Sequence, residues 1–421
     1  MFNGLIYLTI KGTSYIYAGL MPAMKNIVER ARLMMRGRRL RSEVSASGYA
    51  IRLDNPLPVF EGPFSLLYGV LFTPEGERPS DVYAVQGANE IRLLLHERPD
   101  LVRSIKGVES TGFVLICPHD SPVVEVVMGF RSGGEDLSHA IQLKFSGVTI
   151  EELQKRQKVK RQCLDGILAC PACKHELSEV QDSCPSCGRK FNAAFDYRTG
   201  EMGGEIDRSV NGNISAHNYD EKAIKLIEKH KDGLILDNGC GLRQHYYDNV
   251  LNFEIENYPT TDVLGVGEEL PFRDGSFDAV FSLSVLEHVR DPFKCAKEIL
   301  RVLKPGGDLF VAVPFLQPFH GYPNHYYNMT SSGLKNLFGD SVEISEMGVS
   351  RPGHPFWALQ WFLRNYSHGL SDAEARRFED LRVKDIIEAD EELKSFLLSN
   401  LNERKREELA SFNYFLGKKP S

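Results

Sequence analysis

The chain has 421 residues, 42% hydrophobic and 25% charged, and its 50 basic and 57 acidic side chains give a formal net charge of −7. That length accommodates two or three domains with their own cores, and the composition is that of a globular protein rather than a disordered or collagen-like one. The acidic balance argues against a polyanion-binding surface over the whole molecule, and no run of about 20 apolar residues is present to span a bilayer.

Residues 1–48 read as a leader or helical extension. Leu5, Ile6, Tyr7, Leu8 and Ile10 are apolar, but Lys11 interrupts them, and the basic cluster Arg36, Arg38, Arg39 and Arg41 follows the apolar part, the reverse of a secretory signal. Residues 22–41 could fold as a basic helix with an apolar face, a kind of segment that makes weak membrane-surface contact. A plain leader is the simpler reading, and the default location is cytoplasmic. Residues 49–149 are rich in strand formers: 64–72, 81–85, 112–116, 123–130 and 139–145 are dense in Val, Phe, Tyr and Leu, with turn formers such as Pro74-Glu75-Gly76 between them. Short strands at this spacing predict a β-sandwich accessory domain. Residues 96–113 resemble part of the accessory β-sandwiches of bacterial glycosyltransferase-type proteins.

Residues 150–200 hold a charged linker helix over 150–162 and then four of the eight cysteines. Cys170-Pro171-Ala172-Cys173 and Cys184-Pro185-Ser186-Cys187 stand ten residues apart, enough for a hairpin and too few for a domain. A turn of this kind aims two sulfurs at one point, and two facing turns supply a tetrahedron of thiolates, which suits Zn2+. Four sulfurs leave no open position, so the ion would be structural, holding a zinc ribbon with almost no hydrophobic core. Two local or crossed disulfides are the competing reading, but cysteine is sparse here for a secreted scaffold.

Residues 210–421 form the third region. From Gly233 onward apolar strand-like runs alternate with amphipathic helical ones, as in an open parallel α/β sheet. Residues 233–241 read GLILDNGCG, a buried-strand run ending at Asp237 and turning through Gly239 and Gly241, where a nucleotide-like ligand can approach the backbone. Downstream come EELPFRDGSFD (268–278), AVFSLSVLEHVRDP (279–292) and EILRVLKPGGDLFVAVP (298–314). In this order the segments resemble the class I S-adenosylmethionine-dependent methyltransferases of the UbiE/type-11 family, over about residues 215–340. The resemblance implies a Rossmann-like α/β fold with a seven-stranded sheet, its last strand antiparallel. Residues 411–417 would supply that strand and 356–408 a helical insertion. It implies S-adenosyl-L-methionine as cofactor. Asp237, Asn238, Gly239, Cys240 and Gly241 would meet the methionine portion, Glu254 the ribose hydroxyls, Gly267, Glu268 and Leu270 the adenine side, and Ser282 and Leu283 the floor. Three positions depart from the family pattern. Leu242-Arg243 continues the turn where a third glycine is common, Val266 replaces a common Asp, and only six residues separate Ile255 from Asp262.

Methyl transfer from a sulfonium is an in-line displacement in which positioning does most of the work. A base is needed only where the nucleophile must lose a proton, as a sugar hydroxyl must. Residues 314–327 are dense in His and Tyr and fit a polar, ring-shaped acceptor. His320 is the first candidate base, followed by His325 and His288. The loop resembles that of methyltransferases encoded among bacterial surface-glycan genes, which points to a small-molecule or glycan acceptor. Two alternatives compete. Some ribosomal RNA guanine methyltransferases pair a cysteine zinc module with this fold, although the acidic charge counts against RNA. The chain could also be a non-catalytic glycan-binding or assembly scaffold. The sequence carries no sign of its oligomeric state.

Overall fold

The computed structural model describes residues 108–121, 123–132, 135–146, 148–177, 181–198, 218–320, 324–350 and 352–410, with strand segments 6–10, 13–17, 41–44, 50–53, 60–61, 64–74, 81–86, 89–90 and 93–97. The basic helix expected over 22–41, apart from Arg41, and the closing strand expected at 411–417 lie outside these. The chain divides into two compact units, residues 1–283 with 294–311, and residues 284–293 with 312–421.

The first unit opens with a hairpin of β1 (Ile6–Ile10) and β2 (Thr13–Tyr17). The next strands are β3 (Arg41–Val44), β4 (Ala50–Leu53), β5 (Phe60–Glu61), β6 (Phe64–Pro74) and β7 (Asp81–Gln86). They continue as β8 (Asn89–Glu90), β9 (Leu93–Glu97), β10 (Val108–Pro118), β11 (Val123–Ser132) and β12 (Glu135–Ser146). These ten make two five-stranded sheets, in the orders β3-β4-β6-β10-β9 and β5-β12-β11-β7-β8. All pairings are antiparallel except β12 with β5. Because Val44 of β3 pairs with Ala50 of β4, the boundary expected at residue 49 cuts through a hairpin, and part of the expected leader is a strand.

β10 departs from the alternation of a one-sided strand: residues 112–117 are all buried. Val114 and Ile116 pack with Phe64 against Leu242 and Tyr258 of the α/β region. Successive side chains point to opposite faces, so Phe113, Leu115 and Cys117 occupy the other side. A strand covered on both faces reads as one continuous apolar run.

The α/β region begins with α1 (Ile150–Gln162), capped by the Thr149 side chain, which accepts from the Glu152 backbone N–H. Its sheet is built from β13 (Ile235–Asn238), β14 (Val250–Glu254), β15 (Val263–Leu264), β16 (Phe277–Leu283) and β17 (Leu303–Ala312). The order is β15-β14-β13-β16-β17, with β13 parallel to β14 and β16, and β14 parallel to β15. Five strands of the expected seven are thus present among the described residues. Ala223 and Ile227 of α2 (Glu221–Lys229) cover one face by packing on Ile235, Val250, Ala279 and Phe281. α3 (Pro292–Val302) buries Cys295, Ala296, Ile299 and Val302.

Parallel neighbours normally need a crossover of a dozen or more residues, yet only residues 255–262 join β14 to β15. Helix α1, 102 residues earlier at the Lys160–Asp262 contact, holds this connection instead. Lys160 Nζ donates to Asp262 Oδ2 at 3.1 Å and to the Tyr247 carbonyl at 2.9 Å. Gln157 Nε2 donates to the carbonyls of Pro259 and Thr261, and Arg161 Nε to that of Asp262. Asp262 also accepts from the Tyr246 hydroxyl and the Asn252 backbone N–H. Lys160 and Asp262 are almost fully buried, a situation a charged pair tolerates only with its hydrogen bonds satisfied.

The second unit is helical: α4 (Ser331–Phe338), α5 (Pro355–His368), α6 (Asp372–Glu379), α7 (Val383–Ile387), α8 (Glu391–Asn400) and α9 (Glu403–Glu408). Its core gathers Leu370, Ala375, Phe378 and Leu401, with Leu363 and Tyr366 against them. Among the described residues no helix is long and apolar enough to cross a membrane.

Candidate functional site

The turn after β13 has the backbone its glycines foretell. Gly239 and Gly241 sit at φ +77° and +61°, the left-handed region that glycine enters without a Cβ penalty. The backbone N–H groups of Gly239 and Cys240 donate to the Phe253 carbonyl at 2.9 and 3.1 Å, tying the turn to the end of β14. There Glu254 Oε2 accepts from the Gly241 N–H at 2.7 Å and Oε1 from the Ile255 N–H at 2.8 Å. Burial pushes the Glu254 carboxyl up, while these backbone donors act in the opposite direction. Oε1 accepts a second bond, from the Glu256 N–H at 3.4 Å, whereas Oε2 keeps a lone pair that can accept from a ligand hydroxyl.

Asp237 is fully buried. Its Oδ2 accepts from the Tyr219 hydroxyl at 2.5 Å and from Arg243, with Nε at 2.9 Å and Nη2 at 2.8 Å. The Arg243 guanidinium lies 4.2 Å from the centre of the Tyr219 ring. Burial works against the Arg243 charge, but Asp237 beside it holds the guanidinium above its usual range. Arg243, standing where a third glycine is common, therefore supplies a buried countercharge. Asp237 Oδ1 and Ser282 Oγ are buried with no hydrogen-bond partner. Orphan polar atoms at the carboxyl edge of a sheet, beside a left-handed glycine turn, fit a polar nucleoside ligand that would complete their bonding.

Gly267 begins a short 3-10 turn that ends at Glu269. A Cβ there would come within 2.9 Å of Cys295 Sγ and 3.3 Å of the Asn238 amide, so only glycine fits against the end of β13. Cys240, Glu268 and Leu270 are buried. The Leu270 N–H donates to Glu298 Oε2 at 2.9 Å. Leu283 joins Ala279 and Phe281 on the α2 face of the sheet, whereas Ser282 points to the other face by strand alternation, so the two do not share a floor.

The four cysteines converge, with one sulfur of each within 4.8 Å of the others. Cys170 and Cys187 sulfurs are 3.7 Å apart and those of Cys173 and Cys184 3.6 Å apart. A disulfide would need about 2.05 Å, whereas thiolates around zinc at about 2.3 Å lie roughly 3.8 Å from one another. The two knuckles match bond for bond. The Cys170 N–H donates to His175 and that of Lys174 to Cys170, as the Cys184 N–H does to Arg189 and that of Gly188 to Cys184. Lys174 and Gly188 occupy equivalent left-handed positions at φ +61° and +73°. The His175 backbone N–H draws the Cys173 thiol down to about 7, while burial pushes Cys170 up to about 12. This segment is fastened to the α/β region. Lys174 Nζ reaches Glu298 Oε2 at 2.6 Å, Arg189 reaches Glu269 at 3.3 Å, and the Tyr197 N–H donates to the Leu264 carbonyl of β15 at 2.8 Å.

The three candidate bases belong to the second unit. His288 Nδ1 lies 2.6 Å from the Asn324 carbonyl and His320 Nδ1 2.9 Å from that of Pro318. A carbonyl can only accept, so each ring carries its proton on Nδ1 and presents Nε2 as an acceptor. His325 is fully committed: Nδ1 accepts from the His320 N–H at 3.1 Å and Nε2 meets Asn328 Oδ1 at 3.0 Å. It orients His320 and offers no spare nitrogen. Burial lowers all three rings, His288 to about 4. Burial also raises the carboxyl of Glu287, next to His288, to about 8. Sequence reasoning had missed Tyr219, Glu298 and Glu287. Glu287 stands inside the motif LEHV, but nothing in the motif signals that its carboxylate is buried without a partner.

Residues 237–311 match a family model described as a methyltransferase domain. An uncharacterised methyltransferase of Mycobacterium sp. strain KMS is 46% identical over 89 residues, 21% of this chain and 32% of that protein. A tRNA U34 carboxymethyltransferase of Campylobacter curvus is 36% identical over 85 residues, 18% of this chain and 28% of that protein. The chain thus spans about a third of the length of these relatives. The phosphoethanolamine N-methyltransferase 2 of Haemonchus contortus, solved with S-adenosyl-L-methionine, aligns over 90% of this chain and 69% of its own, at 14% identity and a TM-score of 0.25. That superposition is too weak to add to the sequence match. Residues 237–311 thus resemble a methyltransferase domain, and they lie on a parallel sheet with a left-handed glycine turn.

Proposed function

We propose that the chain transfers a methyl group from S-adenosyl-L-methionine to a polar acceptor, with a hydroxyl of a saccharide or glycan precursor as the acceptor class. The observation that carries the reading is the edge formed by Gly239, Gly241 and Glu254, with Asp237 Oδ1 and Ser282 Oγ buried and unpartnered beside it. The cofactor supplies an electrophilic methyl when bound. Asp237 and the turn amides would hold its methionine part, Glu254 would accept from its ribose, and the Gly267–Glu269 turn would border its base. The two carboxylates favour a cationic ligand, and the Arg243 countercharge tempers that preference. The His- and Tyr-rich segment and the two β-sheets support a saccharide acceptor. We also propose that the cysteine cluster holds a structural Zn2+, and that eight free thiols suit a reducing, cytoplasmic setting. RNA is the second reading, favoured by the tRNA-modifying relative and opposed by the net charge of −7.

Titration calorimetry with S-adenosyl-L-methionine, repeated on Glu254→Ala, tests the core of this. Binding should be present and drop by about 10-fold or more in the variant, because a charged acceptor is lost. Absence of heat and of any thermal shift would leave the scaffold reading in place. Labelled methyl transfer to fractionated glycans and to RNA then separates the acceptors.

A further inference from the structure

The second unit contains a group of side chains whose electrostatics do not close. Ser284 enters the segment at φ +59°, unusual for a non-glycine residue, and the His288 N–H closes a turn onto the Val285 carbonyl. Between them Glu287 points inward, its side chain fully buried and neither carboxylate oxygen hydrogen-bonded. Leaving such a group unmatched is costly: a buried polar atom without a partner forfeits its hydration. Protonation does not rescue it through the neighbouring ring, since His288 Nε2 is 3.9 Å from Glu287 Oε1, beyond hydrogen-bond reach.

The surroundings make the imbalance worse. One ligand atom from each of Glu287, His288 and His320 lies within 4.8 Å of those from the other two. The carbonyls of Asn324 and Pro318 hold both imidazoles through Nδ1, as outer-shell partners hold metal-binding histidines, and leave each Nε2 as the available ligand atom. His325 steadies His320 through its backbone N–H, and the Trp361 ring lies 5.1 Å from His320. With Glu287 ionised, three acceptors share one small space, and a cation that displaces the carboxyl proton satisfies all three at once.

We propose that Glu287, His288 and His320 form a binding site for a divalent first-row metal ion, distinct from the cysteine cluster. Two imidazoles and a carboxylate suit Mn2+, Fe2+ or Zn2+, whereas four thiolates suit zinc and exclude the harder ions. Three protein ligands leave coordination positions open, so the ion can take an oxygen ligand such as water or an alcohol and acidify it. Metal binding here requires neither cofactor binding nor methyl transfer, and the two can fail separately.

Mn2+ titration of the full-length, zinc-loaded protein, followed by loss of the free-ion electron paramagnetic resonance signal, is the test. The expected result is one bound equivalent, with affinity reduced about 100-fold or more in Glu287→Gln and in His320→Ala, since even outer-shell changes cost 10- to 100-fold. If a variant misfolds, the wild-type protein still decides: bound Mn2+ should shield His288 and His320 from diethylpyrocarbonate, read by peptide mass spectrometry. Wild-type protein that takes up neither Mn2+ nor a second equivalent of Zn2+ overturns the site. So does retention of Mn2+ by both variants, or unchanged labelling of the two histidines.

Discussion

The cysteine cluster and the Glu287–His288–His320 group both bring metal-ligating atoms to a point, but they are made differently. The first comes from two local knuckles, each closed by its own backbone hydrogen bonds. Its convergence is written into CPxC spacing and would be completed by one ion. In the second, His320 lies 32 positions beyond His288, and the imidazoles are aimed by carbonyls of a loop the motif does not contain. Local geometry can stabilise a fold through its metal, whereas a tertiary cluster with an unmatched carboxylate must be supported by the fold around it.

The largest expected effect lies on the cysteine side. Removing the proposed zinc with a strong chelator, or introducing Cys184→Ser, should release the segment around 167–198, because a structural zinc contributes apparent energies on the order of 10–16 kcal/mol. Limited proteolysis should then cut there first. Resistance unchanged after proven metal loss would make the cysteine segment self-sufficient and erase the contrast. Next comes a tertiary charge pair that is already matched: Lys160→Met strands the buried Asp262 and should cost about 3–5 kcal/mol in denaturant melts. A loss below about 1 kcal/mol would mean α1 is a passive strap. In metal-free conditions Glu287→Met should raise stability by about 1–3 kcal/mol, the penalty of an unpaired buried group. A loss instead would show that the carboxylate helps hold the fold. The smallest effect links the cysteine segment to the edge proposed to hold the cofactor. Lys174→Met removes one cation from Glu298, which also receives the Leu270 N–H. A few-fold weaker S-adenosyl-L-methionine affinity is expected, about 1 kcal/mol, with zinc content unchanged. Equal affinity by calorimetry would uncouple the two regions.

Legibility followed the same division. The glycine turn, the α/β alternation and the cysteine knuckles were readable because each depends on neighbours in sequence. The boundary at residue 49 was misplaced because β3 is committed only through its pairing with β4. The short link before Asp262 read only as a departure from the family pattern. Nothing in residues 255–262 names the distant helix that holds them. The continuous burial of residues 112–117 likewise depends on Leu242 and Tyr258 closing the second face.

By itself, then, the sequence determined where strands lie in the α/β region, the left-handed glycines and the sulfur pairs, because backbone preference and ligand spacing act over a few residues. Only the tertiary structure decided what those pieces lean on. It set Arg243 against Asp237, α1 against the β14–β15 connection, and Glu287 beside imidazoles with neither oxygen hydrogen-bonded. The physical reason is that desolvation and charge pairing are properties of an enclosed volume, and the walls of that volume come from distant stretches of chain.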